Sequence, residues 1–253
     1  MPIYWRAYEQ SALKGRTKRY ELAVIKRAFK LIFQYVAPAR IRLTADRGFP
    51  DEDLFELLDR LKIKYIIRVK GSTKVNYQGA WIKLNRLQFQ GNARRRSLGR
   101  IEYCQDSPRR LWVTMSRARD KKGKWGIWYL ASNLPLRAER AAKEYGFRFG
   151  CEEAFRDVKW DLGFAEARVK KIEAWSRLFA LFAIALMVLT TLGMRLLIRS
   201  GQRAQELLRR VASRRRNRRE LSLIAAVIAL IQRDKTLFAA LSAQTKLKLD
   251  YVL

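Results

Sequence analysis

With 253 residues, of which 49% are hydrophobic, the chain has enough apolar material for a packed core, and this excludes global disorder. Lysine and arginine number 54 against 23 acidic residues, a formal charge of +31 spread from Arg6 to Lys248, so the expected partner is a polyanion, nucleic acid first and an anionic membrane second. There is no histidine, which excludes Ser-His and Cys-His catalysis and every histidine-bound metal; any metal must sit on carboxylates, as magnesium and manganese do.

The N-terminus does not have the pattern of a secretory signal. Residues 2–8 alternate and are rich in aromatics, which predicts a strand. The spacing of Leu22, Ile25, Phe29, Ile32 and Phe33 predicts an amphipathic helix over 18–37, closed by Pro38. A short apolar strand at 41–45 is stopped by Asp46-Arg47-Gly48-Phe49. A second helix at 51–61 carries Leu54, Leu57, Leu58 and Leu61 on one side, and 64–69 reads as a buried strand. Strand, helix, strand, helix, strand at this spacing is an α/β core.

The composition then changes. Residues 72–127 hold glycines, aromatics and short alternating runs between basic turns, which predicts a β-rich insertion. The strand at 128–132 returns to the core. From Arg137 onward the pattern is helical, with helices near 137–162, 172–199, 202–213 and 219–232 and a dense basic block at 214–219. The run 178–194 carries no charge. It falls just short of the ~20 residues of a bilayer span, so it reads as a buried helix of a large core, and no membrane partner is expected. Cys104 and Cys151 read as free thiols in a reducing cytoplasm. No internal repeat is present.

The informative segment lies in the helix predicted over 137–162. At helical pitch Tyr145, Arg148, Glu152 and Lys159 fall within an arc of roughly 60°. Phe147, Cys151, Phe155, Val158 and Leu162 form a neighbouring apolar stripe. A lone carboxylate between phosphate-binding groups on one ridge suits a metal ligand gripped between DNA phosphates. Plainer readings compete: Asp46 suits capping of the following helix, and Glu152 suits an ion pair with Arg148 or Arg156. Trp125 and Trp128 suit either stacking on an unpaired base or, respectively, a surface and a core position.

The spacing Tyr145-x2-Arg148-x3-Glu152-x6-Lys159 resembles the signature of a large group of bacterial insertion-sequence transposases of the DDE type. The wording Phe155-Arg156-Asp157-x-Lys159 is similar to that group's, and Ala45-Asp46-Arg47-Gly48-Phe49 resembles its motif around the second catalytic aspartate. The resemblance runs roughly from residue 2 to 200. It implies an α/β, ribonuclease-H-like catalytic core in which three carboxylates hold two divalent ions, Mg²⁺ or Mn²⁺. By this resemblance Asp46 and Glu152 are catalytic metal ligands, the second and third acids. Tyr145, Arg148 and Lys159, with Arg156 beside them, hold the transposon-end DNA. The implied activity is metal-dependent cleavage of DNA at transposon ends and strand transfer, by a cytoplasmic, nucleoid-associated protein that is a homodimer when bound to DNA. The implied division is a core in two parts, 1–71 and 128–200, a β-rich insertion at 72–127 and a basic helical C-terminal region at 201–253.

One part of the pattern is missing. In the family the first aspartate lies on a strand that opens the sheet, and here no aspartate precedes Asp46. The expectation is therefore a partial core, N-terminally truncated, lacking its first two strands and first carboxylate, with an unpaired sheet edge and impaired cleavage. The alternative is a catalytically inactive DNA-binding remnant that competes with full-length transposase.

Overall fold

The computed structural model describes residues 17–89, 91–119, 125–160 and 162–213, together with 224, 227 and 228. The expected strand at 2–8, the basic turn at 121–124, the basic block at 214–219 and most of the expected helix 219–232 lie outside the described residues. The chain divides into two compact units, Leu13–Phe149 and the residues from Gly150 onward.

In the first unit, α1 (Thr17–Ile32) turns Leu22, Ile25 and Phe29 toward the main core, with Phe29 buried. It ends earlier than the expected residue 37. Tighter bonds take over, Gln34 N–H to Leu31 at 3.2 Å and Tyr35 N–H to Ile32 at 3.0 Å, because the residue before a proline avoids helical geometry. A 3-10 turn (Pro38–Arg40) leads into β1 (Arg42–Ala45), then α2 (Glu52–Arg60) and β2 (Lys64–Val69). Asp51 caps α2, its carboxylate accepting the Asp53 N–H at 3.0 Å. Asp46 is therefore not the cap of this helix. Leu54, Phe55, Leu57 and Leu58 are the buried side of α2. Strands β1 and β2 run parallel, with Ala45 opposite Ile67.

Five further strands follow: β3 (Lys74–Tyr77), β4 (Ala80–Lys83), β5 (Arg95–Tyr103), β6 (Arg109–Arg119) and β7 (Trp125–Ser132). All seven form one sheet in the order β1-β2-β7-β6-β5-β3-β4. The β-rich stretch thus continues the core sheet. Strand β7 joins the two parts, because it pairs antiparallel with β2 on one side and with β6 on the other. The end of this junction is fastened by side chains: Tyr65 N–H donates to Asn133 Oδ1 at 3.0 Å, Asn133 Nδ2 to the Ile63 carbonyl at 3.0 Å, and Ser132 Oγ to the Tyr65 carbonyl at 2.6 Å.

Helix α3 (Ala138–Gly146) buries Ala138, Ala141, Ala142 and Tyr145. Its Glu144 accepts from Arg42 of β1 and, at 2.8 Å, from Arg140. Burial raises the Glu144 pKa, but the hydrogen bonds and charges of Arg140 and Arg42 outweigh it and hold the carboxyl below its ordinary 4.5. The Glu144 side chain is 14% exposed and that of Arg42 33%, so the pair lies between surface and buried cases. Glu144→Ala is expected to cost ~1–2 kcal/mol at neutral pH. A depressed carboxyl stabilises the fold above its unfolded value and loses that contribution as pH falls through the folded value. The melting-temperature gap between parent and variant should therefore shrink below pH 4.5. A gap that ignores pH would mean that the charge pair is not what was removed.

The single helix expected over 137–162 is two. Helix α3 ends at Gly146, where Phe147 N–H bonds back to Glu144 at 3.2 Å and Arg148 N–H to Tyr145 at 3.0 Å, and α4 (Phe149–Trp160) begins anew. Glycine disfavours helix by ~1 kcal/mol relative to alanine, and the tightened turn falls beside it. The expected apolar stripe is not buried as a whole: Val158 is, whereas Phe147 and Phe155 are 73% and 59% exposed.

In the second unit α5 (Ile172–Ser213) is one helix of 42 residues, running through the break expected between 199 and 202. Val158, Phe182, Leu186 and Ile224 form its core, with Phe164 packed against Trp175, Phe179 and Phe182. The run 178–194 was expected to be buried. Instead one face is, through Phe182, Leu186 and Leu192, while Leu181 and Ile184 are 63% and 56% exposed. By length and composition the segment Ile172–Arg195 is apolar enough to cross a membrane, with a mean hydropathy of 2.0.

Candidate functional site

Asp46 follows the last residue of β1, at the carboxyl end of a strand paired in parallel, the end of open α/β sheets where ligands bind. The buried Ala45 anchors the strand, and the bond from Phe49 N–H to the Asp46 carbonyl at 3.0 Å folds Asp46-Arg47-Gly48-Phe49 into a turn. The carboxylate is therefore presented at the rim, its side chain 40% exposed. Its Oδ1 accepts the Arg47 N–H at 2.7 Å and the Tyr145 hydroxyl at 3.3 Å, and lies 3.9 Å from Arg68 Nη1. Among the described residues its Oδ2 takes no hydrogen bond or ion pair.

Partial burial raises the Asp46 pKa, but the Arg47 N–H, the charges of Arg148 and Arg68 and the Tyr145 hydroxyl together hold it below its ordinary value. Asp46 is therefore ionised at neutral pH. Tyr145 moves the other way. Burial raises its pKa against the lowering charge of Arg148, so the phenol keeps the proton that it donates to Asp46.

Tyr145 is fully buried, packed with Ile66, Leu130 and Ala141 and edge-on to Trp128 at 5.2 Å. Its one polar atom is turned onto Asp46 and not outward. Arg148, in the turn between α3 and α4, lies over the Phe149 ring at 4.8 Å and the Tyr145 ring at 5.5 Å, which fixes its guanidinium near Asp46. Trp128 packs on Tyr145 and Phe149, a core position, whereas Trp125 is 49% exposed with Arg119 over its ring at 4.6 Å.

Glu152, Arg156 and Lys159 lie on α4. Their spacing of four and three residues puts them on one side of that helix. Glu152 is half-buried, and Arg156 and Lys159 are exposed. The four signature residues therefore do not share one continuous helix. Tyr145 closes α3, Arg148 sits in the break, and Glu152 and Lys159 belong to α4. Tyr145 and Arg148 fall in the first compact unit with Asp46, and Glu152, Arg156 and Lys159 in the second.

Arg68 is the site residue that sequence patterns did not single out. Its signal was available: a cation between Ile67 and Val69, near the end of a strand in which Tyr65, Ile66, Ile67 and Val69 are buried. Charged residues are rarely enclosed without a partner, and here the partner is Asp46.

A divalent cation needs ionised oxygen donors. Asp46 fits, being ionised with Oδ2 left open. Among the described residues no three acidic or cysteine side chains cluster.

Comparison with known families matches residues 18–188 to the transposase DDE domain. No curated protein matches the chain. The matched stretch contains β1, the whole seven-stranded sheet, α3 and α4, and hence both Asp46 and Glu152. A ribonuclease-H-like α/β fold belongs to that family, and the mixed sheet with its helices agrees with it. With well over half of its length matched, the chain belongs to the transposase DDE domain family, whose members act on DNA.

Proposed function

We propose that this transposase cuts DNA at transposon ends and joins the cut strand to target DNA, with Asp46 and Glu152 as ligands of divalent magnesium or manganese. The observation that carries this reading is Asp46 itself: ionised, at the carboxyl end of a parallel strand, with one carboxylate oxygen held by Arg47, Tyr145 and Arg68 and the other open. When bound, the ions polarise the scissile phosphate and lower the pKa of the attacking water or 3′-hydroxyl. The chain's own residues orient the carboxylate and grip the strand. Tyr145 and Arg68 fix the Asp46 oxygen that faces them. Arg148, Lys159 and the adjacent Arg156 contribute charge to DNA phosphates. Pairing of two ends calls for a homodimer on DNA.

The test is nicking of DNA carrying the element's own ends, in Mn²⁺, by the parent chain and by Glu152→Gln. Loss of nicking in the variant, with DNA binding retained, is the expected result. Equal rates would remove Glu152 from the site. A second reading, DNA binding without cutting, is favoured by one observation, the lack of a three-acid cluster among the described residues. It predicts salt-sensitive DNA binding by the parent and no nicking in any metal.

A further inference from the structure

Asp46 sits just past a short strand with one neighbour. Strand β1 has four residues, and among the described residues it lies at the end of the sheet, paired with β2 alone. So short a ladder makes a strand one of the first elements to fray, yet a metal ligand has to be held within ~0.5 Å of its working position. Leu43 and Ala45 hold β1 on one face, against the main core. Arg42 and Thr44 lie on the other face, opposite Lys64 and Ile66 of β2. There Ile66 is covered by Ala141 and Tyr145 of α3.

Two side chains of α3 reach β1 and the residue after it, and they are consecutive. Glu144 accepts from Arg42 at the start of the strand, and Tyr145 donates to Asp46 just past its end, at 3.3 Å. The two attachment points are ~13 Å apart along an extended strand. One attachment would let the strand turn about it; two fix its slide and its angle against the helix. The Glu144 side chain is only 14% exposed, and Arg140 holds it from four residues back along α3, at 2.8 Å. That bond stays within one helix and ties it to nothing else. The bond to Arg42 is the one that crosses from helix to strand. An ion pair placed elsewhere on α3 would stabilise the fold alone. This one ends on the strand that presents Asp46 and starts beside the residue that donates to Asp46.

We propose that Arg42 and Glu144 are positioning residues for Asp46. Their pair clamps β1 to α3, which keeps Oδ1 on the Tyr145 hydroxyl and leaves Oδ2 open to a divalent cation. The inference rests on the reading of Asp46 as a metal ligand and adds to it the contact that holds the ligand in place.

The test is Mn²⁺ binding by the DNA-free chain, followed as loss of the free-ion signal in electron paramagnetic resonance, with nicking measured beside it. The variants are Arg42→Met, Arg42→Lys, Arg140→Met and Asp46→Asn, each checked for folding by urea titration. Arg42→Met removes a cation from the strand that presents Asp46, and that charge change alone would tighten Mn²⁺ binding. Loss of the clamp acts the other way. A smaller folded fraction would reduce the amount of bound metal and not the affinity. Arg42→Met is expected to weaken Mn²⁺ affinity about threefold or more and to slow nicking about tenfold at saturating Mn²⁺, as small misplacements do. Arg42→Lys keeps a donor to Glu144 and should recover most of both. Arg140→Met changes the net charge equally, breaks only the bond within α3 and should match the parent within about twofold. Parent-like Mn²⁺ affinity and nicking in Arg42→Met would overturn the clamp, as would equal losses in Arg42→Met and Arg140→Met. In both results Asp46→Asn still loses Mn²⁺ binding, so the metal-ligand reading stands. Equal binding by the parent and Asp46→Asn would instead remove the metal site itself, and the clamp with it.

Discussion

Replacing Asp46 by asparagine is expected to lower metal-dependent DNA cleavage at least ~10³-fold, a loss of ~4 kcal/mol of transition-state stabilisation. The size follows from what is removed. Asparagine is nearly isosteric, and its amide oxygen still accepts the Arg47 N–H and the Tyr145 hydroxyl, so the turn after β1 keeps its shape. What disappears is the negative charge, and with it the ionised oxygen that a hard cation needs. Arg68 and Arg148 remain, now without the charge that they faced. The local potential becomes more positive, which repels a divalent ion and attracts DNA. The variant should therefore bind DNA at least as tightly as the parent while failing to cut it. Nicking rates in Mn²⁺ and affinities in metal-free buffer, measured on the same preparations, give both readouts. Parent-like nicking by Asp46→Asn would take this residue out of the chemistry altogether.

Tyr145→Ala is expected to cost ~3–5 kcal/mol of folding stability, the range for deleting a buried aromatic, whereas Tyr145→Phe should cost under ~1.5 kcal/mol. Tyr145 is fully buried in the cluster of Ile66, Leu130 and Ala141, with Trp128 and Phe149 around its ring. Removing the ring opens a cavity that β2, β7 and α3 line together. Removing only the hydroxyl keeps the packing and withdraws one donor, 3.3 Å from Asp46. The two variants thus separate a packing role from a positioning role. Urea titration gives the first, and the nicking rate of Tyr145→Phe gives the second, with a loss of about tenfold expected for one weakened donor. If Tyr145→Ala unfolds at the same urea concentration as the parent, the residue is not the core element described above.

The sequence contained much of this in readable form. Strand β2 has its expected limits, and α2 is bounded by Asp51, a residue type that caps helices. Asp46-Arg47-Gly48-Phe49 stops a short apolar strand as turn residues do, which placed Asp46 at a strand end before any fold was known. The spacing of Tyr145, Arg148, Glu152 and Lys159 pointed to transposases, and the family match agrees.

Other features were not readable locally. Periodicity tells which residues share a helix face. It does not tell whether anything covers that face, so the exposure of Phe147, Phe155 and Leu181 came only from the fold. The break at Phe147 and the continuity of α5 through Ser200 and Gly201 depend on differences of about 1 kcal/mol per residue, which tertiary packing overrides.

By itself, then, the sequence determined the α/β character, the strongly positive charge that suits a polyanionic partner and the exclusion of histidine chemistry, because these are properties of residue type and short spacing. The tertiary structure decided the rest. Pairing of β7 with both β2 and β6 made one sheet of core and insertion. The approach of Arg68 and Tyr145 to Asp46 oriented its carboxylate. The packing of α3 over the sheet buried Tyr145 against Ile66 and Leu130. Each is a contact between residues far apart in the chain, set by the competition of many packing arrangements, and no local pattern encodes its outcome.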